Sequence, residues 1–400
     1  MDTRIAEELL KVIQQIHASK YRIVLSVTGG GSGAIFELLR HGKGSATLLE
    51  ALVPYGKNAL KYLIGREPDS YCSEETAREM AMASFERALK LCNKEGSTNT
   101  GNIIGIGVSC KLLRGEDERY GRKHEVHIAS QSFLQTTATC LTLLENRSRE
   151  EEEDIVSLLI IYRIAQLCKI ESNGIRSLLM IPEFGYITNK IAEVSPDIGY
   201  LLVNTLLQEE AEKISLGISN LPGNNTSHPG MIFAGSFNPF HKKHAEIART
   251  AFKKCGFPVC LEISLANVDK TPIDFISLKY RLHSLEEYMS EEFMGDVYLT
   301  NTPLFEGKAT LFLGCCFLIG TDTLNRIFNE KYYREGETKE SLLGYFKARK
   351  VHFLVFQRKD VDFDIDDDIR SICEVVKLNE YEDDGTSSRH IRKGMHKTRF

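Results

Sequence analysis

From Ser219 to Gly230 the chain reads SNLPGNNTSHPG, a run of small, polar and turn-forming residues that interrupts the periodic pattern on either side. A chain of 400 residues also exceeds what one core usually organises, so this break is read as a linker between two domains. The expected organisation is residues 1–218, a linker at 219–230, and residues 231–400. Upstream of the break the apolar runs RIVLSV (Arg22 to Val27), NIIGIGV (Asn102 to Val108) and HEVHIA (His124 to Ala129) alternate with helical stretches. One of these stretches is Ser73 to Cys92, with Ser73 placed to cap it. Downstream, MIFAG, VCLEISL, CFLIG and VHFLVF are separated by helical segments of similar length. The alternation predicts two α/β domains with largely parallel sheets.

Several classes of function are disfavoured by composition. The chain is 42% hydrophobic and 26% charged, as expected of a globular protein with sizeable cores. With a net charge of -5 and no local basic patch, nucleic acid is not expected as a partner. No stretch approaches the length of a membrane span, and the start, MDTRIAEELLKVIQQI, is amphipathic and charged; a cytoplasmic location is expected. The ten cysteines form no CxxC pair and no Cys/His array at zinc spacing, so they read as reduced, mostly buried thiols, and no metal site is expected. The acidic run ENRSREEEEDI (Glu145 to Ile155) reads as the N-terminal end of a helix continuing through IVSLLIIYRIAQLC.

The densest chemical signal is GSFNPFHKKH, Gly235 to His244. His241 and His244 at i and i+3 could ligate a metal or lie on the surface, but no glutamate separates them and no third ligand is near. Their context favours a third reading. A short apolar strand runs into a glycine-containing turn, and the histidines fall where a helix begins, at the edge where open α/β sheets bind ligands. A helix N-terminus offers unpaired N–H groups to phosphate. Two imidazoles there can donate to phosphate oxygens as charge builds in a transition state.

This stretch resembles the HxGH signature of the nucleotidylyltransferase superfamily, and is especially similar to the GxFNPxHxxH form of nicotinamide mononucleotide adenylyltransferases. Lys243 stands where that family usually has glycine. Three companion segments follow in order: NVDKTPIDFISLKYRL, FLIGTDTLNRIFNEKYY and TSSRHIRKG, the last with Arg389 in place of threonine. The resemblance implies a Rossmann-like C-terminal domain with a parallel sheet that transfers an adenylyl group from ATP to a phosphorylated acceptor, most simply nicotinamide or nicotinate mononucleotide. It implies catalytic roles for His241, His244 and Arg392. Nucleotide and substrate contacts are implied for Gly235, Ser236, Phe237, Asn238, Lys270, Gly320, Asp322, Thr323, Ser387 and Ser388. Mg²⁺ would arrive with ATP, held by phosphates and water. Taken alone, Asp322 equally suits a cap for TLNRIF, and Lys270 a solvated loop position. Transfer to another acceptor, or nucleotide binding in a regulatory role, are the other readings of the same motifs. The chain has no tryptophan, so any stacking on a pyridine ring falls to phenylalanine or tyrosine.

The N-terminal half offers two patterns. Gly29, Gly31 and Ala34 satisfy GxGxxA after a strand, but no clear acidic residue follows at the next strand's end. From Arg22 to about Leu167, the segments TGGGSG, GKGSATLLEALVPYGKNALKYLIG, YCSEETAREMAMASFERAL and IGIGVS are similar to the C-terminal domain of the CinA family, which includes nicotinamide mononucleotide deamidases. The similarity implies a CinA-like α/β domain with a pocket at Thr28, Gly29, Gly30, Ser45, Tyr55 and Ser109. Ser45 falls on that family's nucleophile, but its lysine position is Leu60, with Lys57 and Lys61 nearby, and Cys110 replaces a glycine. A hydroxyl without a base or charged neighbour attacks an amide poorly, so a pocket without hydrolysis is expected. Ser45 also suits a helix cap for ATLLEAL. Expected partners are therefore ATP and a mononucleotide-like small molecule, with no membrane, and the sequence is compatible with a homo-oligomer.

Overall fold

A computed structural model describes residues 3–96, 99–114, 121–144, 147–180, 185–217, 230–268, 270–334, 336–359, 365 and 367–377. Ser387, Ser388 and Arg392, and all of Ser219–Gly230 except Gly230, lie outside the described residues. The chain forms two compact units, Met1–Leu207 with Asp269–Ile276, and Gln208–Val268 with Ser277–Phe400. Among the described residues, no helix is long and apolar enough to cross a membrane.

The first unit is built on a six-stranded sheet of order β2-β1-β3-β4-β5-β6. β1 (Arg22–Thr28) lies between β2 (Leu48–Leu52) and β3 (Ile103–Lys111), parallel to both. The other half is antiparallel: β4 (Glu125–Ser132), β5 (Gln135–Thr142) and β6 (Tyr186–Glu193). The expectation of a largely parallel sheet therefore fails here. Only residues 133–134 separate β4 from β5, far too few for the crossover a parallel pair requires. One face is covered by α1 (Thr3–Ala18) and α5 (Arg149–Leu167), whose Ile13, Ile16, Val156 and Ile160 pack with Ile23, Leu25, Ile104 and Ile106. Ser148 and Glu151 close a capping box at the start of α5, bearing out the helical reading of the acidic run. On the other face, Gly105 admits the backbone of α4 (Glu74–Lys94); a Cβ at Gly105 would lie 2.1 Å from the Phe85 nitrogen. Ser73 caps α4 as expected, its Oγ accepting from the Thr76 N–H at 3.1 Å. The segment after Ser45 is the strand β2 rather than a helix, because its apolar residues pair along β1, so Ser45 caps nothing there.

In the second unit the sheet order is β13-β12-β11-β8-β9-β10-β7. β8 (Met231–Ala234), β9 (Val259–Ser264), β10 (Met294–Thr300), β11 (Cys316–Gly320), β12 (His352–Phe356) and β13 (Cys373–Val376) run parallel, as expected. β7 (Lys213–Ser215) pairs antiparallel with β10, so this unit begins ahead of the turn-rich segment. Succession runs one way from β8 through β10 and the other way from β11 through β13, so the order reverses between β8 and β11.

The core of this unit is rich in phenylalanine, including Phe312, Phe317, Phe346 and Phe353, and a buried ion pair lies within the unit. Glu262 on β9 is fully buried and accepts from Lys308 Nζ at 2.6 Å on both oxygens and from Thr300 Oγ1 at 2.5 Å. Lys308 comes from α10 (Phe305–Leu311) and is itself buried. Removing one member of such a pair strands the other charge in a medium that solvates it poorly. Lys308→Met should destabilise the second unit by about 3–5 kcal/mol, and adding Glu262→Leu should recover most of that loss. Denaturant unfolding of the two variants measures both effects.

Candidate active site

The reversal between β8 and β11 places the ends of two chain segments at one crevice. Gly235 to His244 leaves β8, and Gly320 to Thr323 leaves β11. The Gly235 N–H donates to Glu262 O at 3.0 Å, so the turn is anchored on the strand that carries the buried ion pair. A Cβ at Gly235 would lie 2.6 Å from the Phe237 ring, which occupies the space a side chain would take. Phe237, at φ 40°, turns its ring inward, edge-on to Phe233 and His244 at 5.2 Å from each. Its side chain thus shapes the turn from beneath.

Two further residues hold this turn from behind. Arg281 of α9 (Phe275–His283) is buried and donates from Nη1 to Ser236 O at 2.9 Å. Ser284 Oγ accepts from the Phe240 N–H at 2.9 Å and donates to Arg281 O at 2.6 Å.

His241 is the N-cap of α8 (Lys242–Cys255), and His244 lies in its first turn. Their rings stack with centroids 3.7 Å apart. The His241 N–H donates to His244 Nδ1 at 3.3 Å, which leaves the His244 proton on Nε2. Burial, then the nearby charges of His241 and Arg358, pushes His244 down to about 2. His244 is therefore a neutral imidazole with its donor fixed, beside the positive end of α8. Lys243, at the family's glycine position, is buried and tied to Glu246 at 2.7 Å on the same helix.

At the end of β11, α11 (Thr321–Ile327) starts from Gly320 as its N-cap. Asp322 falls in the first turn rather than at the cap, so the capping reading of Asp322 does not hold. Its Oδ1 lies 3.7 Å from Nε of Arg358, whose N–H donates to Thr321 Oγ1 at 3.2 Å. Arg358 leaves the end of β12 and also acts on His244. Sequence reasoning missed it. The available signal was a cation two residues after the apolar run VHFLVF.

The fold thus gathers His241, His244, the Gly235–Asn238 turn, Gly320, Asp322, Thr323 and Arg358 along the carboxyl ends of β8, β11 and β12. Lys270 belongs to the first unit, where burial raises the Glu79 carboxyl and the charges of Arg66 and Lys270 oppose that rise. Its segment is tied there by the Phe275 N–H, which donates to Thr136 Oγ1 at 3.0 Å.

In the first unit, the N-terminal residues singled out from sequence are placed as follows. Thr28 ends β1 and donates to Pro54 O at 3.0 Å. The glycine turn behind it lies close to β3, since a Cβ on Gly29 would sit 2.0 Å from Cys110 O and one on Gly30 2.4 Å from Leu112 Cδ1. The N–H groups of Gly31 and Ser32 donate to Glu153 Oε1 at 2.9 and 3.0 Å, so a carboxylate of α5 occupies the loop. Ser109 is buried, and its hydroxyl donates to Ser73 O at 3.1 Å. Ser45 and Tyr55 are exposed, whereas Leu60 is buried against Ile64 and Met80. Lys57 lies over the Tyr71 ring at 5.7 Å.

Residues 232–394 match the family model described as cytidylyltransferase-like. Over this segment the chain is similar to the cytidylyltransferase-like family. Nucleotidyl transfer is the chemistry that family supports. Solved structures similar to the chain include the competence/damage-inducible protein CihA from Agrobacterium tumefaciens, at 13% identity and TM-score 0.29 over 40% of this chain and 92% of that one. A CinA superfamily protein from Escherichia coli aligns at 17% identity and TM-score 0.29, covering 40% of this chain and 86% of its own. Another from Klebsiella pneumoniae aligns at 16% and 0.28, covering 41% and 94%. These likenesses fall on the N-terminal part. No curated protein gives a significant match.

The depressed His244 links the cytidylyltransferase-like domain's stability to pH. Its ordinary value is 6.5 and its folded value about 2, so between these limits the unfolded chain binds a proton that the folded one does not. This contribution is intact above about 6.5 and is lost progressively as pH falls below it. His244→Gln should therefore reduce the fall of stability between pH 7 and pH 5, a change read from unfolding midpoints across that range.

Proposed function

We propose that the cytidylyltransferase-like domain transfers an adenylyl group from ATP to the phosphate of nicotinamide or nicotinate mononucleotide, giving a dinucleotide and pyrophosphate. The observation that carries this reading is the stacked His241–His244 pair at the N-terminus of α8, at the sheet's reversal point and with His244 held neutral. An oxygen of the acceptor phosphate attacks the α-phosphorus of ATP. The bond from that phosphorus to the bridging oxygen of the β-phosphate breaks, and pyrophosphate leaves with the electron pair. The acceptor is already anionic, so no base is needed and catalysis consists of positioning and charge stabilisation. His244 Nε2–H and the His241 ring donate to phosphoryl oxygens as their charge grows. Arg358 adds a permanent positive charge, and Asp322 is the acidic group available to a substrate hydroxyl or amide. Mg²⁺ enters with ATP, bound chiefly by phosphates. Arg392, Ser387 and Ser388 complete the triphosphate contacts in this reading.

Adenylyl rather than cytidylyl transfer rests on the SSxxIR-type ending. The family match favours, as a second reading, transfer from CTP to another phosphorylated acceptor. In the first unit, three features support a domain that has lost amide hydrolysis: buried Leu60 at the lysine position, Lys57 over Tyr71, and Glu153 within the glycine loop.

The full-length chain with Mg²⁺, ATP and either mononucleotide should yield dinucleotide and pyrophosphate, followed by product mass. Product from CTP with none from ATP would replace the first reading by the second, and product from neither would remove both. His241→Ala should lower kcat by about 100-fold or more while leaving the KM for ATP nearly unchanged, since a donor to developing charge acts mainly in the transition state. A coupled ammonia assay with nicotinamide mononucleotide should detect no release. Release abolished by Ser45→Ala would make the chain bifunctional.

A further inference from the structure

We propose that the first unit binds one divalent zinc-type ion through Cys72, Glu125 and His127. The ligand atoms of these three side chains lie within 4.8 Å of one another. The fold produces the grouping in two steps. Glu125 and His127, at i and i+2 on β4, share one face of the strand. Cys72, directly before the cap of α4, is carried onto that face by the packing of α4, and its Sγ lies 3.6 Å from Ser109 O and 3.7 Å from Glu125 O.

Tetrahedral zinc with bonds of about 2.0–2.3 Å keeps its ligands about 3.5 Å apart. His127 Nε2 and Glu125 Oε2, at 3.8 Å, already meet that spacing. The sulfur needs a shift of at most about 1 Å, within reach of side-chain rotation. His127 Nδ1 is buried and makes no hydrogen bond among the described residues, a costly state for an imidazole nitrogen. The ring nitrogen that faces Glu125 is Nε2, so an ion bound there leaves Nδ1 to carry the ring proton.

The donor set selects the ion. Thiolate, imidazole and carboxylate together suit zinc, and no hard-cation cage of oxygens is present at this cluster. A thiolate and a carboxylate also balance a 2+ ion, while Lys111, 3.7 Å from Glu125, neutralises that carboxylate when no ion is bound. Cys72 and Glu125 are only partly buried, so an ion reaches the cluster from their side. Three protein ligands leave a fourth position for water or for Cys140, which lies directly across from His127 in the β4–β5 register. Cys72 lies 53 residues before Glu125, which is why spacing alone showed no zinc pattern.

Cobalt is the probe. The full-length chain, reduced and stripped of metal with a chelator, is titrated with Co²⁺ and then with Zn²⁺. One Co²⁺ per chain should bind with a sulfur-to-metal charge-transfer band and visible bands of a tetrahedral ion, all bleached by Zn²⁺. Cys72→Ser should abolish the charge-transfer band, and His127→Asn should weaken binding by at least about 10-fold. Cys255→Ser, at an exposed thiol of the other unit, should change neither. Circular dichroism of the metal-free variants establishes that they are folded. Absence of the charge-transfer band in the folded parent chain, or its persistence in Cys72→Ser, would overturn the proposal. If Cys72→Ser fails to fold, loss of tight Co²⁺ binding in folded His127→Asn carries the assignment, and unchanged binding in that variant would overturn it.

Discussion

The reversal of strand order between β8 and β11 is the constraint on which the candidate active site depends. Successive strands on either side of that point are added in opposite directions, so the connections leaving β8 and β11 diverge and a crevice opens at their carboxyl ends. Any turn leaving β8 must then face whatever leaves β11. This is how His241 and His244 come to share a site with Asp322, nearly eighty residues further along the chain. The hydrogen bond from Gly235 to Glu262 fixes the start of the turn on the neighbouring strand, and the Glu262–Lys308 pair holds that strand's side chain within the core.

Charge at this crevice is arranged for an anionic ligand without dense positive charge. His244 is neutral because it is buried and because His241 and Arg358 lie beside it. It contributes an oriented dipole, which costs less to bury than an ion and needs no reorganisation when a phosphoryl group arrives. Permanent positive charge comes from Arg358, and Asp322 tempers it. Arg281 and Ser284 act behind the turn, fixing carbonyl and amide positions.

In the first unit the groups singled out from sequence are largely engaged in internal bonds. The amides of the glycine loop bind Glu153, and the Ser109 hydroxyl binds the backbone at the cap of α4. A ligand phosphate would have to displace a carboxylate that is already well placed. The less committed polar atoms lie instead on the face of β4 that meets the start of α4, where Cys72 approaches Glu125 and His127.

Much of the fold class was legible because apolar runs and amphipathic helices alternate along both halves. RIVLSV, NIIGIGV, HEVHIA, MIFAG, VCLEISL, CFLIG and VHFLVF all became strands, and Ser73 and the acidic run before α5 marked helix starts. β5 and β6 escaped notice because QTTATCLT and YITNKIAE are half polar, and β2 was open to a helical reading because LLEAL has no β-branched residue. Direction within the first sheet depended on a two-residue hairpin loop that apolar patterning does not register. By itself the sequence determined the two-part α/β organisation, the strand–turn–helix carrying His241 and His244, and Asp322 at the start of a later helix, since each depends on residues close together in the chain. Only the tertiary structure decided that Arg358 would join the histidines, that Lys270 would go with the first unit, that Glu153 would fill the glycine loop, and that Cys72 would meet His127. Those pairings are set by strand order and helix packing between distant segments, and local periodicity carries no record of them.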